Sequence, residues 1–164
     1  MNIFYLSASP RLAAKYHCNK HVVKMILETC QMLYTVHWIL TNGESLKNCP
    51  YVPYKKTHYN HPCNVWLRES LNNYIWTTKL GLYLCKEYTK RYSKIHKCEK
   101  YIKWLYNHPP HYDKIEFTKP ALAMPDKYKT NNVVKSYRDY YRGDKANFAV
   151  WPDNEKPYWF NIKN

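Results

Sequence analysis

Ser9-Pro10 and Asn42-Gly43 bracket a stretch that the rest of the fold must be built around. Serine is a favoured helix cap and proline suits the first helical turn, while Asn-Gly stops a helix. The spacing predicts one helix from Pro10 to about Leu40, with Leu12, Tyr16, Val23, Ile26, Cys30, Leu33 and His37 on its apolar face. Within it His17, His21, Lys24, Glu28 and Gln31 step by four, three, four and three, so that they share one side of the helix. A solvated face would carry lysine and glutamate alone. Two imidazoles, an amine, a carboxylate and an amide in line form the wall of a site, with Glu28, His21, His17 and Lys24 as catalytic candidates.

Further punctuation divides the remainder. Asn2 to Leu6 is a short apolar run, a strand or an extended arm, and residues 42–61 form a loop ending in THYNHP. Pro62 opens a second helix, capped by Asn60 or His61, that runs to about His96 with a bend near Gly81. A third covers Glu99 to Asn107, before Pro109-Pro110. Residues 108–131 are a long proline-containing loop of the kind that carries function. Asn132 caps a fourth helix, Val133 to about Phe148, and an aromatic tail, Trp151 to Phe160, closes the chain. With no alternating strands, the expected architecture is all-α: a single domain over residues 1–164, about four helices with long loops.

Charge narrows the partner. Lys and Arg number 26 against 12 Asp and Glu, a formal net charge of +14. AT-rich coding explains abundant Lys, Asn and Tyr, but not so few acids. Such a field favours polyanions, nucleic acid before membrane. No apolar run approaches membrane-spanning length, and MNIFYLSASP lacks the basic region and apolar core of a signal peptide. The expected setting is soluble and intracellular: cytoplasm or nucleus of a host, or a virion, if the source is viral. Nothing in the sequence speaks to oligomeric state. Lys90, Arg91, Lys94 and Lys97 climb the end of the second helix, interleaved with tyrosines, and Arg138, Arg142 and Lys145 stand beside Tyr141 in the fourth. Cations neutralise phosphates while aromatic faces stack on unpaired bases. These residues, with Trp159 of the tail as a wedge, are the expected nucleic-acid surface.

Gln31, His58, His61, Glu69 and Asn73 are the expected pocket lining, the last two lying in line with Trp76 and Leu80. His17 and His21, joined by His58, His61 and Cys63, could grip a metal, but no HExxH is present and no metal is assigned. The three glycines, Gly43, Gly81 and Gly143, cannot assemble a phosphate-binding fingerprint, so no cofactor is expected. Six cysteines without a CxxC pair are neither a zinc site nor a disulfide framework; Cys18, inside the stripe, is the one of interest.

The blocks MNIFYL, HCNKHVVKMILE, THYNHPCNVW, AMPDKYK and SYRDYYRGDKANF resemble a family of uncharacterised small proteins of bacteriophages and large DNA viruses, over nearly the whole chain. In the order of its features the chain also resembles the phage pyrimidine-dimer DNA glycosylases of the endonuclease V type. These are small, basic, all-α repair enzymes with the catalytic site on a first helix beside the chain start, and EKPYWF, Glu155 to Phe160, is similar to their proline-aromatic terminus. That resemblance implies a base-excision glycosylase, or glycosylase/lyase, acting on a flipped or damaged base. Those enzymes use the α-amine of a small second residue, exposed by loss of Met, with a first-helix glutamate. Here residue 2 is Asn2, and Glu28, the only acid of the first helix, sits later than theirs. The nucleophile is therefore open between the Met1 amine, Lys24 and no lyase step at all. A non-catalytic nucleic-acid-binding protein and a His-metal-dependent nuclease or hydrolase are the alternatives.

Overall fold

The computed structural model describes residues 1–161. It is all-α: α1 (Pro10–Tyr16), α2 (Asn19–Leu40), α3 (Pro62–Glu69), α4 (Leu71–Tyr92), α5 (Glu99–Asn107) and α6 (Val133–Arg142), with three single-turn 3-10 segments and no strand among the described residues. The expected helix starts are found. Ser9 Oγ accepts from Leu12 N–H, the His61 ring from Cys63 N–H, and Asn132 Oδ1 from Lys135 N–H.

The first two expected helices are each two. His17 and Cys18 are extended, with ψ of 132° and 162°, and divide α1 from α2. The break is held from far along the chain: the Arg91 guanidinium donates to the Lys15 and His17 carbonyls at the end of α1 and to Asn19 Oδ1. The Asn19 N–H donates to the Val150 carbonyl at 2.7 Å. Carbonyls that a continuous helix would bond internally are thus satisfied by tertiary partners. The break re-phases the helix surface and leaves Leu12 and Val23, expected inside, exposed. Ser70 is likewise extended and starts α4 as its cap, accepting from Asn73 N–H at 3.3 Å. The Leu71 and Asn72 N–H groups donate to the Lys114 and Ile115 carbonyls of the long loop.

α2 and α4 run antiparallel as the central pair, joined at one end by Arg91 to Asn19 and at the other by a 2.8 Å hydrogen bond between His37 Nε2 and Tyr74 Oη. α5 lies across both. Gly81 does not interrupt α4: it is where three helices meet, since a Cβ there would come within 3.2 Å of Ile102 and Thr29. The core is Val22, Ile26, Leu33, Leu80, Leu84, Ile102 and Leu105, all essentially without solvent contact. α4 ends at Tyr92, ahead of the expected His96, on Ser93 at φ +54°. α6 ends at Arg142 rather than near Phe148. Tyr128 closes over Gly143, where any side chain would collide with the phenol, and donates to Asp144 Oδ1 at 2.6 Å. No helix of the described residues is long and apolar enough to cross a membrane.

Candidate active site

Residues 2–6 form an arm without a strand partner, threaded into the core: Ile3, Phe4, Tyr5 and Leu6 are all buried. Buried backbone polar groups need partners, and here side chains supply them. Ile3 N–H donates to Asn2 Oδ1 at 2.8 Å, Arg138 Nε donates to the Leu6 carbonyl at 3.0 Å, and Trp76 Nε1 donates to the Ala8 carbonyl at 2.8 Å. Asn2 fixes the start of the arm. Its Nδ2 donates to the Ala123 carbonyl at 2.8 Å, and its Oδ1 also accepts from the Cys63 thiol at 3.4 Å. Burial pushes that thiol up to about 11 and keeps it a donor. Tyr137 anchors the opposing loop, donating to the Ala121 carbonyl at 2.6 Å and accepting from Ala123 N–H.

This scaffold delivers the chain start to Glu28. Glu28 Oε2 accepts from the Asn2 N–H at 3.1 Å and lies 3.7 Å from the Met1 ammonium, while Oε1 stands 3.5 Å from Lys24 Nζ. Glu28 is buried, 8% exposed, whereas the Lys24 side chain is 61% exposed. His61 completes the group. Its Nδ1 accepts from the Cys63 N–H at 3.2 Å, which fixes the tautomer with the proton on Nε2. Burial, and then the positive chain start, lower its pKa, with Glu28 opposing. An amine, a carboxylate and a neutral imidazole thus meet where one can attack an electrophile and another can take its proton.

The structure sorts the candidates of the stripe. Glu28 and Lys24 are brought to the chain start, and Gln31 lies half-buried a turn beyond. His21 is on α2 but turned into the core, where its Nδ1 bonds Tyr141 Oη at 2.6 Å and Phe4 stacks on it at 4.5 Å. His17, in the break, bonds the Ala13 carbonyl at 2.7 Å, and its Nε2 has no partner. Burial lowers their pKa values to about 4 for His17 and about 3 for His21. Both are neutral core groups near pH 7, and as acids or bases toward a substrate neither has a path out. His58 is exposed and bonds Thr57 Oγ1. Among the described residues no three His, Cys, Asp or Glu side chains gather as metal ligands, and His58 does not join His17 and His21. Glu69 accepts from the Thr118 hydroxyl at 2.8 Å, beside Arg68 and His111 and apart from Met1. Asn73 is fully buried and clamps the long loop, donating to the Trp66 carbonyl and accepting from Thr118 N–H.

The expected nucleic-acid residues divide in the same way. The Arg91 side chain is 2% exposed and spent on Glu87 and the α1 carbonyls. Arg138 lies among Tyr16, Tyr158 and Trp159, and Arg142 donates to the Trp159 carbonyl and pairs with Asp139. Tyr141 and Trp159 are buried, so neither can stack on or wedge between bases. These are internal ties of the tail and the arm, not phosphate grips. Lys90 pairs with Glu155, while Lys94 and Lys97 are exposed. Lys145 is half-buried just past α6. It sits 4.7 Å over the Tyr140 ring, and Lys20 sits 4.7 Å over Phe148. Their charges, with that of Lys24, oppose protonation of His21. Asn2, Cys63 and Tyr137 were missed as site residues because nothing local marks side chains that meet from opposite ends of a chain.

In this all-helical, basic protein the chain start is thus held against a buried helix carboxylate. Residues 1–100 match the family model described as pyrimidine dimer DNA glycosylase, and the chain belongs to that family of DNA-repair glycosylases. The match spans the arm, α1 to α4 and the first two residues of α5, and therefore Met1, Asn2, Glu28, His61 and Cys63. No curated protein and no solved structure matches the chain.

Proposed function

We propose that this protein excises pyrimidine dimers from DNA by covalent catalysis, with the α-amine at the chain start as nucleophile and Glu28 as its proton acceptor. The observation that carries this reading is the contact between the Met1 ammonium and the buried Glu28 carboxylate. Glu28 takes a proton from the ammonium, and the free amine attacks C1′ of the damaged nucleotide. The N–C1′ bond forms as the glycosidic bond breaks, and the leaving base takes up a proton. Opening of the sugar then gives an iminium whose charge the Glu28 carboxylate offsets. His61, kept neutral by burial and by the positive chain start, adds no positive charge beside the amine. Lys20, Lys24 and Lys145 hold the phosphates on either side of the extruded lesion.

Borohydride on abasic-site duplex tests this, because it reduces the iminium to a stable amine. A single adduct is expected, mapped to the α-amine of Met1, or of Asn2 if Met1 is processed, and Lys24→Gln should still be trapped. An adduct that moves to Lys24, or spreads over surface lysines, would overturn the assignment.

A further inference from the structure

Away from Glu28 lies a second basic surface that the excision chemistry does not use. A groove with a cavity of about 550 Å³ runs between α1, α4 and α5, lined by Arg11, Lys79, Lys86, Tyr83 and Tyr106 among others. Two further cavities continue it, both including Arg11, past Lys86 and Lys90 and on to Lys15. Some cations along it are neutralised: Lys103 pairs with Glu99 and Lys90 with Glu155. Among the described residues Arg11, Lys79 and Lys86 pair with no carboxylate, and all three are exposed. Lys86 stands 5.2 Å over the Tyr83 ring.

The spacing of these cations sets the ligand class. At a rise of about 1.5 Å per residue, the unpaired Lys79 and Lys86 stand ~10 Å apart along α4. One phosphate group cannot fill that, but a nucleic-acid strand places a phosphate every ~3.4 Å of duplex axis and so presents about three. The groove also faces away from the catalytic carboxylate. Thr29, next to Glu28 on α2, presses on Gly81 of α4, while Glu28 is turned about 100° round α2 toward the arm. Leu80, Gly81 and Leu84 of α4 are buried, whereas Lys79 and Lys86 point outward. A duplex over Met1 is separated from the groove by α2 and α4, about 20 Å at ~10 Å per helix.

We infer that the α1–α4–α5 groove is a second DNA-binding surface, which holds the backbone of an undamaged duplex segment while the Met1–Glu28 face engages another. It rests on the DNA-repair reading for its choice of polyanion but uses none of the catalytic residues. The probe is a 12-base-pair undamaged duplex, with stoichiometry measured by sedimentation at low salt and affinity by anisotropy across salt concentrations. Wild-type protein should bind two duplexes, and the triple variant Arg11→Ser, Lys79→Ser, Lys86→Ser should bind one. The lost site should carry a salt slope of about 2.7, three contacts at ~0.9 each, or roughly 40-fold in affinity between 50 and 200 mM salt. Excision on a short damaged duplex should be unchanged in that variant. An unchanged stoichiometry in the variant, or a single duplex on wild type that the variant still binds, would overturn the groove. All three positions are exposed, and an unchanged melting temperature checks that the variant folds. Failure of wild-type protein to be trapped on abasic DNA, with the second duplex still lost in the variant, would refute the excision reading and leave the groove standing.

Discussion

Acid should unfold this protein earlier than its carboxylates alone would allow. His17, His21 and His37 are buried and neutral, and burial is the first cause of each lowered pKa: about 4, about 3 and about 4, from an ordinary 6.5. The sign follows from the direction of the shift. Below pH 6.5 the unfolded chain binds protons at these rings and the folded chain does not, so stability falls as pH falls and levels off only below the folded values. From pH 7 to pH 5 each ring costs about 2 kcal/mol, so the three together cost ~6 kcal/mol. Half-buried His61, shifted the same way, adds to this. A total stability of roughly 5–15 kcal/mol makes that decisive. Ordinary carboxylates titrate near 4, so the window from pH 6.5 to 5 reports the histidines. Urea unfolding followed by circular dichroism should show the midpoint falling by ~3 M between pH 7 and pH 5, at ~2 kcal/mol per molar urea. A midpoint unchanged between pH 7 and pH 5 would refute the buried neutral state, and His17 and His21 would return as candidate acids.

Two substitutions separate the remaining roles. Glu28→Gln keeps an oxygen to accept the Asn2 N–H but cannot take the ammonium proton, so excision should drop by ~10²–10⁴ with the melting temperature nearly unchanged; an active variant would place the proton acceptor elsewhere, His61 first. Arg91→Ala strands Glu87 and the α1 carbonyls, and should cost about 3–5 kcal/mol in chemical denaturation. An unchanged stability with a collapse in DNA affinity would instead make Arg91 a phosphate grip.

The sequence was legible where a local signal decides the backbone. Ser9-Pro10, Pro62 after His61, and Asn132 each start a helix where expected, because cap and first turn are chosen within four residues. The break at His17 was not, because it depends on Arg91, 74 residues away. Ser70 could have been found, since a serine three residues before Asn73 is an ordinary cap pattern, but the continuous apolar pattern around it favoured a single helix. The stripe divides in the structure for one physical reason. Periodicity places side chains on a helix face but does not say which part of that face a neighbour will cover. The arm and α6 cover His21, and the arm's first residue stops at Glu28. The Arg–Tyr block of α6 misled similarly. Guanidinium groups suit phosphates and carbonyls alike, and here the arm and tail offered buried carbonyls that had to be bonded.

The choice between the two amines near Glu28 follows from how each is held. Lys24 Nζ and the Met1 nitrogen lie at similar distances from the carboxylate, 3.5 and 3.7 Å, so proximity does not decide. The Lys24 ammonium ends a four-carbon stem, mostly in solvent, and ordering it in the transition state forfeits up to about 2 kcal/mol of rotamer entropy. The α-amine sits one residue from Asn2, whose side chain is bonded on both sides and whose N–H is bonded to Glu28, so its position is set during folding. Held by the bonds around Asn2, the α-amine is the better placed of the two for the proposed attack. In that proposal Lys24, in reach of the same carboxylate and open to solvent, meets the phosphate that flanks the reacting sugar.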